Sequence, residues 1–165
     1  MTKTKVKIDT KGIGERIYIN LFEEQKKRLI EYAEETINEM GRTHTFRNRT
    51  INLEDSLVWG VFFKGEMIAH GFYGEKKAQK PARYHKQYVN GRELAEAFIN
   101  SYKSQSTGGY YYWEVVWGAI APYSVYLDPF SNRNTRSNHF YVISQCYDEI
   151  KADLRPMKVE FRTNA

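Results

Sequence analysis

Leu57-Val58-Trp59-Gly60-Val61-Phe62-Phe63-Lys64-Gly65-Glu66-Met67-Ile68-Ala69-His70-Gly71-Phe72-Tyr73 reads as two extended runs joined by a two-residue break. In the first run Leu57, Trp59, Val61 and Phe63 share one face, while Val58 and Phe62 lie on the other. Such a strand expects cover on both sides and a central place in its sheet. Lys64-Gly65 suits a tight turn, after which Glu66 to Tyr73 returns as the hairpin partner.

Upstream, Phe22, Leu29, Ala33, Ile37 and Met40 recur at helical spacing and predict a long helix over roughly 17–40. Gly12 and Gly14 are expected to break the chain before it, and Gly41 to stop it. Glu23 with Lys27 and Glu24 with Arg28 are set for pairing four residues apart on its outer face. Earlier still, Lys5-Val6-Lys7-Ile8-Asp9 alternates like a short edge strand guarded by lysines.

Downstream, Gly74 to Val89 reads as a surface loop in which Lys76, Lys77, Lys80, Arg83, His85 and Lys86 have few acids beside them. Asn90 with Glu93 forms a helix-start signature. Leu94, Ala97, Phe98 and Tyr102 are the expected buried stripe of that helix, and Ser106-Thr107-Gly108-Gly109 its end. A second long strand follows from Tyr110 to Gly118, with Tyr111, Trp113, Val115 and Trp117 on one face and Tyr110, Tyr112, Glu114 and Val116 on the other. A turn-like segment runs from Ala121-Pro122-Tyr123 to Leu127, and a polar loop from Ser131 to Asn138. A third helix is expected from His139 to Pro156, carrying Phe140, Ile143, Tyr147, Ile150 and Leu154, and then a short strand at Val159 and Phe161. No repeat or linker divides the chain, so the expectation is one domain over 1–165, of α+β class, with a small antiparallel sheet packed by a long N-terminal helix, a middle helix and a C-terminal helix.

With 41% hydrophobic and 27% charged residues the composition is that of a globular chain rather than a disordered one. The 13 Tyr, 9 Phe and 3 Trp supply core mass and, through their polar tips, interface area. Cys146, the one cysteine, has no internal disulfide partner, and no apolar signal segment opens the sequence, which together lead us to expect a reducing compartment. No run approaches the roughly 20 apolar residues of a membrane helix. The net charge of +5 permits contact with nucleic acid without requiring it.

Residues able to do chemistry do not form a motif. His44, His70, His85 and His139 are scattered, with no ligand one helical turn away. Gly12-Ile13-Gly14 lacks the third glycine and the parallel unit of a dinucleotide loop. Glu34-Glu35 and Glu54-Asp55 are adjacent acids expected to point to different sides of their elements, so neither makes a carboxylate dyad. The reading is therefore of no catalytic residue, no metal site and no cofactor. The Tyr110-Tyr111-Tyr112-Trp113 block invites comparison with base-stacking sheets, but cations are not interleaved with it, and burial under helices accounts for it.

Phe46-Arg47-Asn48-Arg49-Thr50-Ile51-Asn52-Leu53-Glu54-Asp55-Ser56-Leu57, followed by the aromatic hairpin, resembles the Arg-Thr-Gly-Asn-Leu-x-x-Ser-Ile segment of the head-to-tail connector proteins of tailed bacteriophages, also called neck or tail-completion proteins. Ala121-Pro122-Tyr123-Ser124-Val125-Tyr126-Leu127-Asp128 is similar to that family's second, alanine- and tyrosine-rich segment. The matching positions are Arg49, Thr50, Asn52, Leu53, Ser56, Pro122 and Tyr123, and Ile51 departs from the family in standing where it usually has glycine. The resemblance implies a non-enzymatic virion protein that assembles in the host cytoplasm into a homo-oligomeric ring at the portal vertex. Such a ring contacts portal or adaptor proteins and tail proteins near the exiting DNA, with no membrane involved. A ring subunit needs two complementary patches. Those expected are Lys5, Val6, Lys7 and Ile8 as a strand added to a neighbour's sheet, the segment bearing Lys76, Lys77, Lys80, Arg83 and Lys86, and the loop bearing Arg133 and Arg136. The alternatives are a basic protein holding nucleic-acid phosphates through the Lys76–Lys86 segment, and a nuclease assembled from Glu54, Asp55 and Glu114.

Overall fold

A computed structural model describes residues 10–43, 51–78, 80–84, 87–104, 106, 113–122 and 124. Helix α1 (Thr10–Thr43) is followed by a single 3-10 turn at Glu54–Ser56, strands β1 (Leu57–Phe63) and β2 (Glu66–Phe72), and a small hairpin of β3 (Ala82–Tyr84) and β4 (Gln87–Val89). Helix α2 (Gly91–Ser101) and strand β5 (Trp113–Ala119) complete the described elements. The fold is α+β, with a three-stranded antiparallel sheet in the order β2-β1-β5 and a two-stranded one of β3 and β4.

The residue pattern of β1 explains this layering. Leu57, Trp59 and Val61 pack with Leu29, Ala33, Ile37 and Met40 of α1, while Val58 and Phe62 pack with Ala95 and Ile99 of α2. Both faces of β1 are thus covered, and it is the central strand, as its two-sided apolar pattern requires. The β1–β2 turn has positive φ at Lys64 (50°) and Gly65 (90°), the geometry whose twist suits a two-residue hairpin. A register shift between Val61 and Phe62 leaves Ile68 without a cross-strand partner, so β2 carries a bulge. In β5, Trp113, Val115 and Trp117 oppose Phe63, Val61 and Trp59 on the α1 side, and Glu114 and Val116 lie on the α2 side, as their alternation predicts.

Several expectations are corrected. Helix α1 begins at Thr10, so Gly12 and Gly14 lie within it. Each glycine costs about 1 kcal/mol against alanine, which is too little to stop a helix that propagates from a packed body. Gly41 does not end α1. A Cβ there would overlap the Tyr73 ring, so its role is to let that ring lie against the helix, which runs on to Thr43. Glu24 pairs with Arg28 as expected, but Glu23 pairs with Lys26, and Lys27 turns instead to Glu31. The buried face of α2 is Gly91, Arg92, Ala95 and Ile99, with Ala97 exposed and Leu94, Phe98 and Tyr102 on the flank. Small residues let the helix approach the sheet closely, so the tight face is not the one with the largest side chains. The helix ends at Ser101, before Ser106. The Gly74–Val89 loop contains the β3–β4 hairpin. The expected edge strand at 5–9, the third helix and the strand at 159–161 lie outside the described residues.

Ile51 has φ of 61°, in the left-handed region that disfavours β-branched residues. Glycine has no Cβ to clash there, whereas alanine keeps the clash and loses the packing of the isoleucine. We expect Ile51→Gly to be more stable than Ile51→Ala by about 1 kcal/mol, reversing the usual order of the two residues. Urea denaturation of both variants checks this.

Candidate functional site

The turn at Ile51–Ser56 is a buried polar knot. Asn52, Leu53, Asp55 and Ser56 are all at most 2% exposed, so each polar atom there needs a partner inside the protein. The turn closes on itself through Asp55 N–H donating to the Ile51 carbonyl at 2.9 Å and the Ser56 hydroxyl donating to the Leu53 carbonyl at 2.7 Å. Its remaining groups reach three other segments.

First, Asn52 joins the start of α2 to the basic segment. Its Oδ1 accepts the Gly91 N–H at 2.9 Å, and its Nδ2 donates to the Lys80 carbonyl at 3.1 Å. Second, the Asp55 carboxylate accepts the Lys77 N–H at 3.0 and 3.2 Å and the Ala78 N–H at 2.7 Å. Third, Ser56 holds the chain after β5. Its carbonyl accepts the Ile120 N–H at 3.2 Å and its hydroxyl oxygen accepts the Ala121 N–H at 3.1 Å. The 51–57 and 121–124 segments, distant in sequence, therefore meet at one residue.

The same knot aims the basic segment outward. Arg92, buried on the first turn of α2, donates to the Gly74 carbonyl at 3.0 Å and stacks on the Phe72 ring at 4.4 Å. A cation near a helix N-terminus works against the helix dipole. The carbonyl and the ring face of Phe72 offset that cost. Segment 74–91 is thus pinned through backbone atoms at 74, 77, 78, 80 and 91, while Lys76, Lys80, Arg83 and Tyr88 are exposed. Arg83 and Tyr88 are cross-strand partners in the β3–β4 hairpin, and Tyr88 is 77% exposed.

Lys77 differs from its neighbours. Its ammonium donates to Glu54 Oε1 at 2.5 Å and lies 5.2 Å from the Tyr73 ring centre. The Glu54 hydrogen bond raises the Lys77 pKa above the ordinary 10.5, against a smaller lowering by burial. A raised folded-state pKa means stability that is complete below the unfolded value and is lost as pH rises through the folded one. Lys77→Met is therefore expected to cost about 0.5 kcal/mol at neutral pH, the worth of a half-exposed pair. That difference should fade only above pH 10.5, as thermal melts of both proteins across pH would check.

Of the other expected site residues, Pro122 is exposed, and Lys5, Val6, Lys7, Ile8, Arg49, Thr50, Lys86, Tyr123, Arg133 and Arg136 lie outside the described residues. Glu54 and Asp55 bond to different atoms of Lys77, Glu54 to its ammonium and Asp55 to its backbone N–H. Glu114 is elsewhere, across from Phe62 near the far end of β1, about 20 Å along the strand from the knot. There it accepts hydrogen bonds from the Tyr102 hydroxyl at 2.8 Å and from Ser104. Ser104 in turn shares a hydrogen bond with Ser106, which accepts the Gly65 N–H at 3.0 Å and so ties the 102–106 stretch to the β1–β2 turn. The three acids of the nuclease reading do not converge, and no group of three His, Cys, Asp or Glu among the described residues could hold a metal ion. No described helix is long and apolar enough to cross a membrane.

The clamp that Asn52 and Asp55 form on segment 77–80 was not foreseen from the sequence. Its only signal was a run of short polar residues beside apolar ones, which reads equally well as a solvated turn. Comparison with protein-family models, with curated proteins and with solved structures found no match.

Proposed function

We propose that this chain is a ring-forming subunit of the head-to-tail connection of a tailed phage, joining the portal vertex to the tail. One observation carries the reading: the two segments that resemble the connector family, 51–57 and 121–124, bond to one another through Ser56. Support also comes from the left-handed backbone at Ile51, where the family has glycine, and from the burial of Asn52, Leu53 and Ser56 at family-motif positions. In this role the knot is scaffolding. It stiffens a small subunit and presents the basic segment at a fixed angle to a neighbour, which lowers the ordering cost of assembly. In an extract lacking this chain, DNA-filled heads and free tails should accumulate, and added purified protein should join them. Infectious particles formed without it would remove the proposal.

A second reading is favoured by the exposed Arg83–Tyr88 pair, with Lys76 and Lys80 exposed earlier in the same segment, residue types that can hold phosphate and stack on a base. It predicts DNA affinity falling steeply with salt, by a log–log slope of about −0.7 to −0.9 per phosphate contact. The connector reading predicts only weak affinity for free DNA at physiological salt.

A further inference from the structure

One buried side chain closes the base of the β3–β4 hairpin. The Asn52 amide, 0% exposed, donates to the Lys80 carbonyl before β3 and accepts the Gly91 N–H after β4. Both feet of the hairpin are therefore held by the same group, and a buried amide keeps such bonds because losing them leaves it unsatisfied.

The two faces of the hairpin differ. Arg83 and Tyr88 are cross-strand partners on one face, which sets their Cβ atoms about 5 Å apart. Arg83 is exposed, and Tyr88 is 77% exposed. Val89 belongs to the opposite face and is buried, at 5%. The hairpin thus lies along the protein and shows solvent one face, a cation beside an aromatic ring. It does not project as a ribbon that could enter a duplex groove.

The charge around this face is one-sided. No Asp or Glu occurs from Lys76 to Arg92. Of the acids that touch or flank the stretch, Glu54 is turned to the Lys77 ammonium, Asp55 to the Lys77 and Ala78 N–H groups, and Glu93 to the Asn90 amide. Glu75 is the exposed acid beside Lys76. Lys77 and Arg92 are engaged with Glu54 and the Gly74 carbonyl, while Lys76, Lys80 and Arg83 remain exposed. Their summed field attracts an anion to the segment.

Cations answer to phosphate, and an exposed ring needs a second flat face. Duplex DNA offers phosphates but keeps its base faces stacked inside, whereas a single strand offers both together. We infer that the β3–β4 hairpin holds single-stranded nucleic acid, with the Tyr88 ring against an unpaired base and Arg83 on the adjoining phosphate. The inference rests on the nucleic-acid reading above and adds to it the form of the strand. Because Asn52 fixes the hairpin beforehand, binding orders little of the protein. With Lys76, Lys80 and Arg83 as the cations, the log–log salt slope is about −2, so one copy binds weakly at physiological salt.

The test titrates the full chain, at low ionic strength, into two fluorescein-labelled probes of about 12 units, an oligothymidylate and a duplex, and reads anisotropy. We expect the single strand to bind at least about tenfold more tightly than the duplex. Tyr88→Leu should weaken that binding by roughly 5- to 100-fold, and Tyr88→Phe, which keeps the ring, should leave it near wild type. Arg83→Gln should reduce the salt slope by about 0.7. Neither Tyr88 substitution should lower the thermal melt, since the side chain is exposed. Duplex binding as tight as that of the single strand would overturn the inference and leave phosphate binding by the basic segment standing. So would a Tyr88→Leu variant that holds the single strand as wild type does. Absence of binding to either probe would overturn the inference and the nucleic-acid reading together.

Discussion

Gly91→Ala is expected to destabilise the protein by about 3 kcal/mol or more, although alanine is the better helix former by about 1 kcal/mol. Gly91 is the first residue of α2 and is buried. A Cβ there would overlap the Asn52 carbonyl oxygen and come within 3.1 Å of the Ser56 nitrogen. Both are backbone atoms of the knot, which its own hydrogen bonds hold in place, so no side chain can swing aside to relieve the clash. Relief requires α2 to move off the 51–56 turn, which also breaks the 2.9 Å bond from the Gly91 N–H to Asn52. Helix propensity and packing thus predict opposite signs, and urea denaturation decides between them. Asn52→Ala acts at the same place without overpacking. It leaves the buried Gly91 N–H unpaired and should cost about 2 kcal/mol. With a typical domain stable by roughly 5–15 kcal/mol, either loss is a large share of the total.

Asp55→Asn is expected to cost about 2–4 kcal/mol, and to act first on the basic segment. The carboxylate, 1% exposed, accepts the Lys77 and Ala78 N–H groups with both oxygens. An asparagine of the same shape replaces one acceptor by an NH2 group, setting donor against donor. Removal of the Lys77–Glu54 ion pair, with its side chains 49% and 14% exposed, should cost much less. The variant should therefore show faster tryptic cleavage at Lys76 and Lys77, ahead of any change in cleavage within α1. Lys77→Met should leave cleavage at Lys76 near the wild-type rate. Equal cleavage at Lys76 in wild type and Asp55→Asn would mean that Asp55 does not clamp the segment.

The elements legible in the sequence are those whose apolar period runs over many residues. In β1, seven residues with both faces apolar announced a central strand, and Lys64-Gly65 marked the hairpin. Leu29, Ala33, Ile37 and Met40 marked the covered side of α1. In α2 the large Leu94 and Phe98 drew the expected face about one residue away from the one that packs, because close approach selects Gly91 and Ala95. The strands β3 and β4 have three residues each, too few to show a period. The site was less legible than the fold. Lys76, Lys80 and Arg83 were recognisable as an exposed basic group from composition alone. The clamp beneath them depends on where Asn52 and Asp55 point, and side-chain direction in an irregular turn leaves no periodic trace.

Quantitative mass spectrometry of purified particles, with the copy number of this chain referenced to that of the portal protein, tests the central claim most directly. The account predicts a low copy number in a fixed, simple ratio to the portal. Absence of the chain from particles would contradict it, and would move the exposed Arg83–Tyr88 hairpin to the centre of a nucleic-acid-binding account.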